Sequence, residues 1–387
     1  MFSFQLLTFS ILFHLYKSIT KKNLSISNVF LNIFYVHFLL IAPIIQLTYS
    51  EDFLINTFPV KVDMIFYTNL LLSIFISITT LVYFRSVKFK NNQLKFEVGN
   101  VNFKLNLLFL KYVFVLVFII LLPPFLGDLF NRLNHQEFSS ESTILNLIWT
   151  KSIKIIPLYF LLAFTFAKKI KFRAIWQFFS FMLLIIAKNP IVEHRNGFGA
   201  AIAVAFFLLF APYLNNIKRT FFYSLLSFPA LFAAGVFLAP HRFKQSTFLE
   251  EATSSYNSVH FDAWSNLCAG IAFIDERGFY FGKQILSAFL FWVPRSIWQN
   301  KGSGTGQELG DYLMKTENLW FNNISSILPL EAYADFGLLG ILLFSYILGK
   351  FLSMTDNFVL SSIFHLKALG LFLSCSIIFI YRGPFLS

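Results

Sequence analysis

The sequence predicts an all-α polytopic membrane protein, with about ten transmembrane helices and one large extracytoplasmic loop that contains short helices. Three observations lead there. The chain is 57% hydrophobic and only 13% charged over 387 residues, where soluble domains carry roughly 25% charged residues. Its apolar residues gather in runs long enough to cross a bilayer. Its basic residues collect in alternate connections between those runs.

The runs fall at 2–16, 28–47, 63–84, 105–126, 144–167, 174–187, 197–214, 220–239, 332–350 and 358–381. The first and sixth are short for a span of about 20 residues. The first lacks a basic lead and a small-residue cleavage pattern, so it reads as a retained helix. Three segments follow: an eight-helix region over 1–239, the outer loop over 240–331, and two C-terminal helices over 332–387.

Charge sets the orientation. Lys17, Lys21, Lys22, Arg85, Lys88, Lys90, Lys95, Lys104, Lys168, Lys169, Lys171, Arg173, Lys218, Arg219 and Lys350 fall in one set of alternate loops. The other short loops hold Lys61, Arg132, Lys188, Arg195 and Arg382. Fifteen against five places both termini and the 240–331 segment outside. The net charge of +12 is then mostly topology, and its scatter argues against nucleic-acid binding. Lys111, Lys151, Lys154 and Lys367 lie within spans, where their stems allow snorkelling towards an end. Neither Cys268 nor Cys375 belongs to a metal or redox spacing.

Chemistry belongs in the outer segment. Residues 249–276 suggest a helix, with Tyr256, Phe261, Trp264 and Leu267 as an uneven apolar stripe. Residues 279–293 suit an interfacial or re-entrant helix ended by Pro294, with Trp292 and Trp298 at headgroup level. Arg295 then lies at the depth of lipid phosphates. The glycines of "GSGTGQELG", Gly302, Gly304, Gly306 and Gly310, fit neither a dinucleotide fingerprint nor a P-loop. They read as a flexible loop or as a lid over substrate. Arg195 precedes a span in "EHRNG", where a helix start and a guanidinium fork suit phosphate, or where Glu193 simply pairs with it. Glu331 and Asp335 share a face at a helix start, as dipole caps or as acids for chemistry. His260 and Asp262 are further candidate bases.

The run from "FDAWSNL" through "VPRSIWQNKGSGTG" to "PLEAYADFGLLG" resembles the signature region of bacterial oligosaccharide repeat unit polymerases, the O-antigen and capsule polymerases. The matching positions are Phe261, Asp262, Phe281, Gly282, Val293, Pro294, Arg295, Trp298, Lys301, Pro329, Glu331, Tyr333, Phe336, Gly337 and Gly340. "HRNG" and the late Arg382–Gly383 pair also fit, so the resemblance covers about residues 190 to 382. The family usually runs on into a further helix, whereas this chain stops at Ser387.

The resemblance implies a metal-independent glycosyltransferase with no cofactor, working at the outer face of the bacterial inner membrane. It would polymerise undecaprenyl-diphosphate-linked repeat units. Arg195, Arg295 and Lys301 would hold the diphosphate. Trp298, Gly302 and Gly304 would form the substrate loop. Glu331, Asp262 or His260 would take the acceptor proton. The implied partners are the lipid-linked oligosaccharide, membrane lipid, a chain-length regulator and a flippase. Two rival readings stand beside it. One is an O-antigen ligase. The other is a lipid-linked oligosaccharide flippase or transporter, for which an internal repeat would be the sign.

Overall fold

The computed structural model describes residues 2–20, 25–49, 62–87, 107–133, 149, 152–167, 170–188, 201–205, 256–257, 261–290, 293–322 and 324–383. Among them every regular element is helical. Four helices are long and apolar enough to cross a membrane: Ile26–Thr48, Asp63–Ser86, Leu108–Asp128 and Leu328–Val359. They answer the expected runs 28–47, 63–84, 105–126 and 332–350. The run at 220–239 and most of 197–214 lie outside the described residues.

The chain divides into two compact units, interleaved in sequence. The first comprises Met1–Phe89, Ile217–Ser353 and Ile377–Ser387. Its helices are α1 (Phe2–Thr20), α2 (Ile26–Val36), α3 (Ala42–Tyr49) and α4 (Val62–Ser86). A π-helical turn, His37–Ile41, joins α2 to α3 within one apolar run. Such a turn inserts an extra residue per turn and re-aims the side chains beyond it. α1 lies along α4, and the two bury a polar network that hydropathy hides. His14, fully buried, places Nδ1 2.7 Å from Thr80 Oγ1 and Nε2 2.8 Å from Asn28 Oδ1. Asn28 Nδ2 donates to Ser18 Oγ at 2.8 Å. Its oxygen therefore faces the imidazole.

The same unit holds α8 (Ala263–Arg277), α9 (Lys283–Phe289), α10 (Thr305–Thr316) and α13 (Ile377–Arg382), numbered in chain order. Of the stripe expected on a helix over 249–276, Tyr256, Phe261, Trp264 and Leu267 are all buried, but α8 starts only at Ala263, so Tyr256 and Phe261 lie before it. Trp264 also donates from Nε1 to Asn69 Oδ1 at 2.8 Å. The helix expected over 279–293 is much shorter. Gly278, Phe281 and Gly282 all have positive φ, so no helix runs through them, and α9 ends before the 290 turn.

α11 (Leu328–Val359) begins in the first unit and carries a break. Phe336 is non-helical, and Gly337 has φ 58°, ψ −137°, a combination open in practice to glycine. The portion from 338 to 359 rises about 33 Å, the thickness of a hydrocarbon core. The break folds the helix start back. A Cβ on Gly340 would stand 1.8 Å from the Ala332 carbonyl oxygen, so only glycine fits.

The second unit comprises Lys90–Asn216 and Met354–Ser376. It contains α5 (Leu107–Leu133), α6 (Ile156–Phe166) after a short 3-10 turn, α7 (Arg173–Ala187) and α12 (Phe364–Cys375). Phe114, Phe160, Phe164 and Trp176 interlock their rings at its centre. Lys154 does not snorkel as expected. It is buried, and its Nζ lies 3.0 Å from Asp128 Oδ2. Trp149 Nε1 donates to the same oxygen at 2.8 Å. The span expected over 358–381 is also corrected: α11 runs on to Val359, and the rest breaks at Ser376 into α12 and α13.

Candidate functional site

Three elements of the first unit meet at a polar cluster: α9, the start of α10 and the start of α11. Pro329 suits the first turn of α11, where its missing N–H costs nothing. Two turns of helix follow, and they bring Glu331 and Asp335 inward, both fully buried.

The two acids serve different ends. Asp335 accepts from the backbone amides of Gln284 at 3.2 Å and Ile285 at 3.0 Å. It caps α9, whose own N-cap residue, Gly282, has no side chain to offer. Glu331 caps nothing. Thr305 Oγ1 donates to its Oε2 at 3.0 Å. Its Oε1 and the neighbouring Ser326 Oγ are buried without a hydrogen-bond partner among the described residues. Leaving such atoms unpaired costs free energy, and the Ser326 hydroxyl, close to the Glu331 carboxyl, is the donor nearest to hand.

A third carboxylate completes the cluster. Glu308 accepts from Gln284 Nε2 at 3.1 Å, Ser303 Oγ at 2.9 Å and Tyr280 OH at 2.5 Å. Burial, then the Glu308 bond and charge, hold the Tyr280 phenol well above its usual range, so it stays a donor. Sequence reasoning missed Glu308, Tyr280, Gln284, Thr305 and Ser326. The signal for Glu308 is its place in "GQELG", an acid flanked by glycines next to an apolar segment.

Those glycines are packing positions. Gly302 and Gly304 are buried. Gly302 N donates to Ser287 Oγ at 2.9 Å and Gly304 N to Gln284 Oε1 at 3.2 Å. A Cβ on Gly302 would lie 2.4 Å from Gln284 Oε1. In this structure the backbone of the segment is seated against α9.

Lys301 and Arg295 lie on the rim. Lys301 Nζ donates to the carbonyls of Leu290 and Val293, each at 2.9 Å. It satisfies carbonyls left over at the end of α9. Arg295 is exposed. Its guanidinium reaches the carbonyls of Lys301 and Gly302 only at 3.4 Å, long for a hydrogen bond. Trp298 is half-buried beside it.

Asp262 belongs to another set of bonds. It is buried, accepts from Ser325 Oγ at 2.9 Å, and lies 3.6 Å from Arg382 Nη2. Burial raises its carboxyl, against the opposing pull of Arg382 and the Asn266 and Ser325 bonds. Arg382 also sits over the Phe38 ring at 5.4 Å. Asp262 thus ties the start of α8 to the end of α13. The successive residues Ser325 and Ser326 serve the two sets, one bonded to Asp262 and the other close to the Glu331 carboxyl. His260 and Arg195 lie outside the described residues.

Comparison with protein-family models, curated proteins and solved structures finds no match for this chain.

Proposed function

We propose that this chain polymerises undecaprenyl-diphosphate-linked oligosaccharide repeat units at the outer face of a bacterial inner membrane. The reading includes about ten spans and an extracytoplasmic 240–331 segment. One observation carries it: the buried Glu331 carboxylate, met by the Thr305 hydroxyl with the Ser326 hydroxyl close by. A buried carboxylate held only by hydroxyls is a proton acceptor for a sugar hydroxyl, and that proton must leave as the new glycosidic bond forms. The acceptor oxygen attacks the anomeric carbon of the donor, and the lipid diphosphate departs with the bonding electrons. Arg295, with donors uncommitted to strong bonds, would stabilise that departing charge. Arg195 would join it. Lys301, committed to two carbonyls, would shape the rim, and Asp262 would position the frame.

A ligase would use the same groups on a different acceptor. The transporter reading draws on the buried His14–Asn28–Thr80 network, since polar groups inside spans often mark a conducted path.

The test is polymer length on a gel from a polymerase-deficient strain carrying Arg295→Ala or Arg295→Lys. Loss on the order of 100- to 1,000-fold is expected for the alanine form, with the lysine form also impaired for want of a planar fork. A normal ladder from Arg295→Ala, at normal protein level, would remove the arginine from the reaction.

A further inference from the structure

α9 is built inside out. Its inward residues are polar: Gln284 and Ser287 are both 0% exposed, and they bond Gly302, Gly304 and Glu308. Its outward residues are apolar. Phe281, just before the helix, is 80% exposed, Leu286 is 50% and Phe289 is 76%. Ile297, in the turn that follows, is 78% exposed. Leu286 and Phe289, three residues apart on α9, share a helix face, and Phe281 stands exposed just before its start. A surface element in water shows the reverse pattern.

The apolar face does not end with α9. The Phe336 ring covers Gly282, and Phe279 stands against Gly337. Those contacts join it to the outer row of α11, where Leu338, Leu339, Leu342, Leu343, Tyr346 and Ile347 are exposed along a helix long enough to span. One continuous apolar surface thus runs from the span across the break and onto α9. Its far edge turns polar at Arg295, Gln299 and Asn300, all exposed.

We propose that α9 and its flanking turns are docked in the acyl layer of the bilayer, with Phe281, Leu286, Phe289 and Ile297 in lipid and Arg295 at the phosphate level. The occupant of this face is membrane lipid, because the face continues that of α11 and because its polar side is already filled by protein. The polar cluster around Glu308 and Glu331 then lies just behind a lipid-facing wall. The inference does not depend on the polymerase reading.

The test uses the full chain in nanodiscs of phosphatidylethanolamine and phosphatidylglycerol. Single spin labels go on Phe281→Cys, Phe289→Cys and Ile297→Cys, with Leu339→Cys as the span reference and Gln307→Cys, exposed on α10, as the aqueous reference. Both native cysteines are buried and stay in place. Collision with oxygen, which favours lipid, is compared with collision with a water-soluble nickel chelate. The expected oxygen-to-nickel ratio at 281, 289 and 297 matches that at 339 and exceeds that at 307 severalfold. A ratio like that at 307 would overturn the proposal, as would a nickel-accessible label at 339. Protection from both reagents would also overturn it, because protein rather than lipid would then cover the face. These side chains pack little, so the labelled variants keep the fold, and elution as the parent does checks that.

Discussion

Replacing Glu331 with glutamine separates its chemical role from its structural one. Glutamine keeps the shape. Its carbonyl oxygen accepts the Thr305 hydroxyl as Oε2 does at 3.0 Å. Its amide then stands where Oε1 is now unpaired, close to Ser326 Oγ, which is also unpaired. The change removes a buried charge whose neighbours include the Asp335 and Glu308 carboxylates. A buried charge beside two like charges is costly, so Glu331→Gln should raise thermal stability in detergent. The proton acceptor is lost at the same time, and polymerisation should fall on the order of 100- to 10,000-fold. The assays are unfolding followed by intrinsic fluorescence, and polymer formed from lipid-linked repeat units in proteoliposomes. A variant that polymerises normally would refute Glu331 as the base. A variant that unfolds earlier than the parent would refute the account of its environment.

Three further outcomes are expected. Gly337→Ala forces a side chain into a glycine conformation, with its Cβ 3.0 Å from the Phe279 ring. It should cost about 1–3 kcal/mol, read as a lower unfolding temperature. Lys154→Ala leaves the Asp128 carboxylate without its ion partner and should cost roughly 3–5 kcal/mol. Lys154→Met with Asp128→Asn should recover much of that loss in the same measurement. Gln307→Cys, exposed on α10, should react with an impermeant maleimide in intact spheroplasts. Labelling only after the membrane is opened would reverse the orientation drawn from the basic loops.

Four of the expected spans were the most legible part of the sequence, because a run of apolar residues needs no partner to be recognised. The 63–84 run is a helix from Val62 to Ser86, off by two residues at most. The break at Phe336–Gly337 falls at the first glycine of "FGLLG", while Gly340, the second, is where the folded-back start of α11 packs closely. What stayed hidden depends on distant pairings. Asp335 looked like a cap for its own helix, yet it caps amides at 284 and 285. Lys154 looked free to snorkel because its partner, Asp128, sits on another helix. The glycines near 302 looked mobile because the side chains that hold their amides, Gln284 and Ser287, lie in a segment that reads as merely apolar. Hydropathy averages over α9 and so erases the two polar residues that define its inner face.

The interleaving of the two units sets a schedule for biogenesis. Phe34, Tyr35 and Phe75 close around Tyr381, with Phe34 and Tyr381 ring centres 4.7 Å apart. Those partners leave the ribosome almost a whole chain apart. At about 5–20 residues per second, the aromatic pocket near the N-terminus waits roughly 20–70 s for its plug. Within that interval the second unit and the Ile217–Ser353 segment of the first are made. The nascent first unit must therefore be sheltered, by lipid or by the insertion machinery, with a Tyr-sized vacancy at its centre. Damage to the last helix would then be felt as slow maturation and proteolysis of the whole chain.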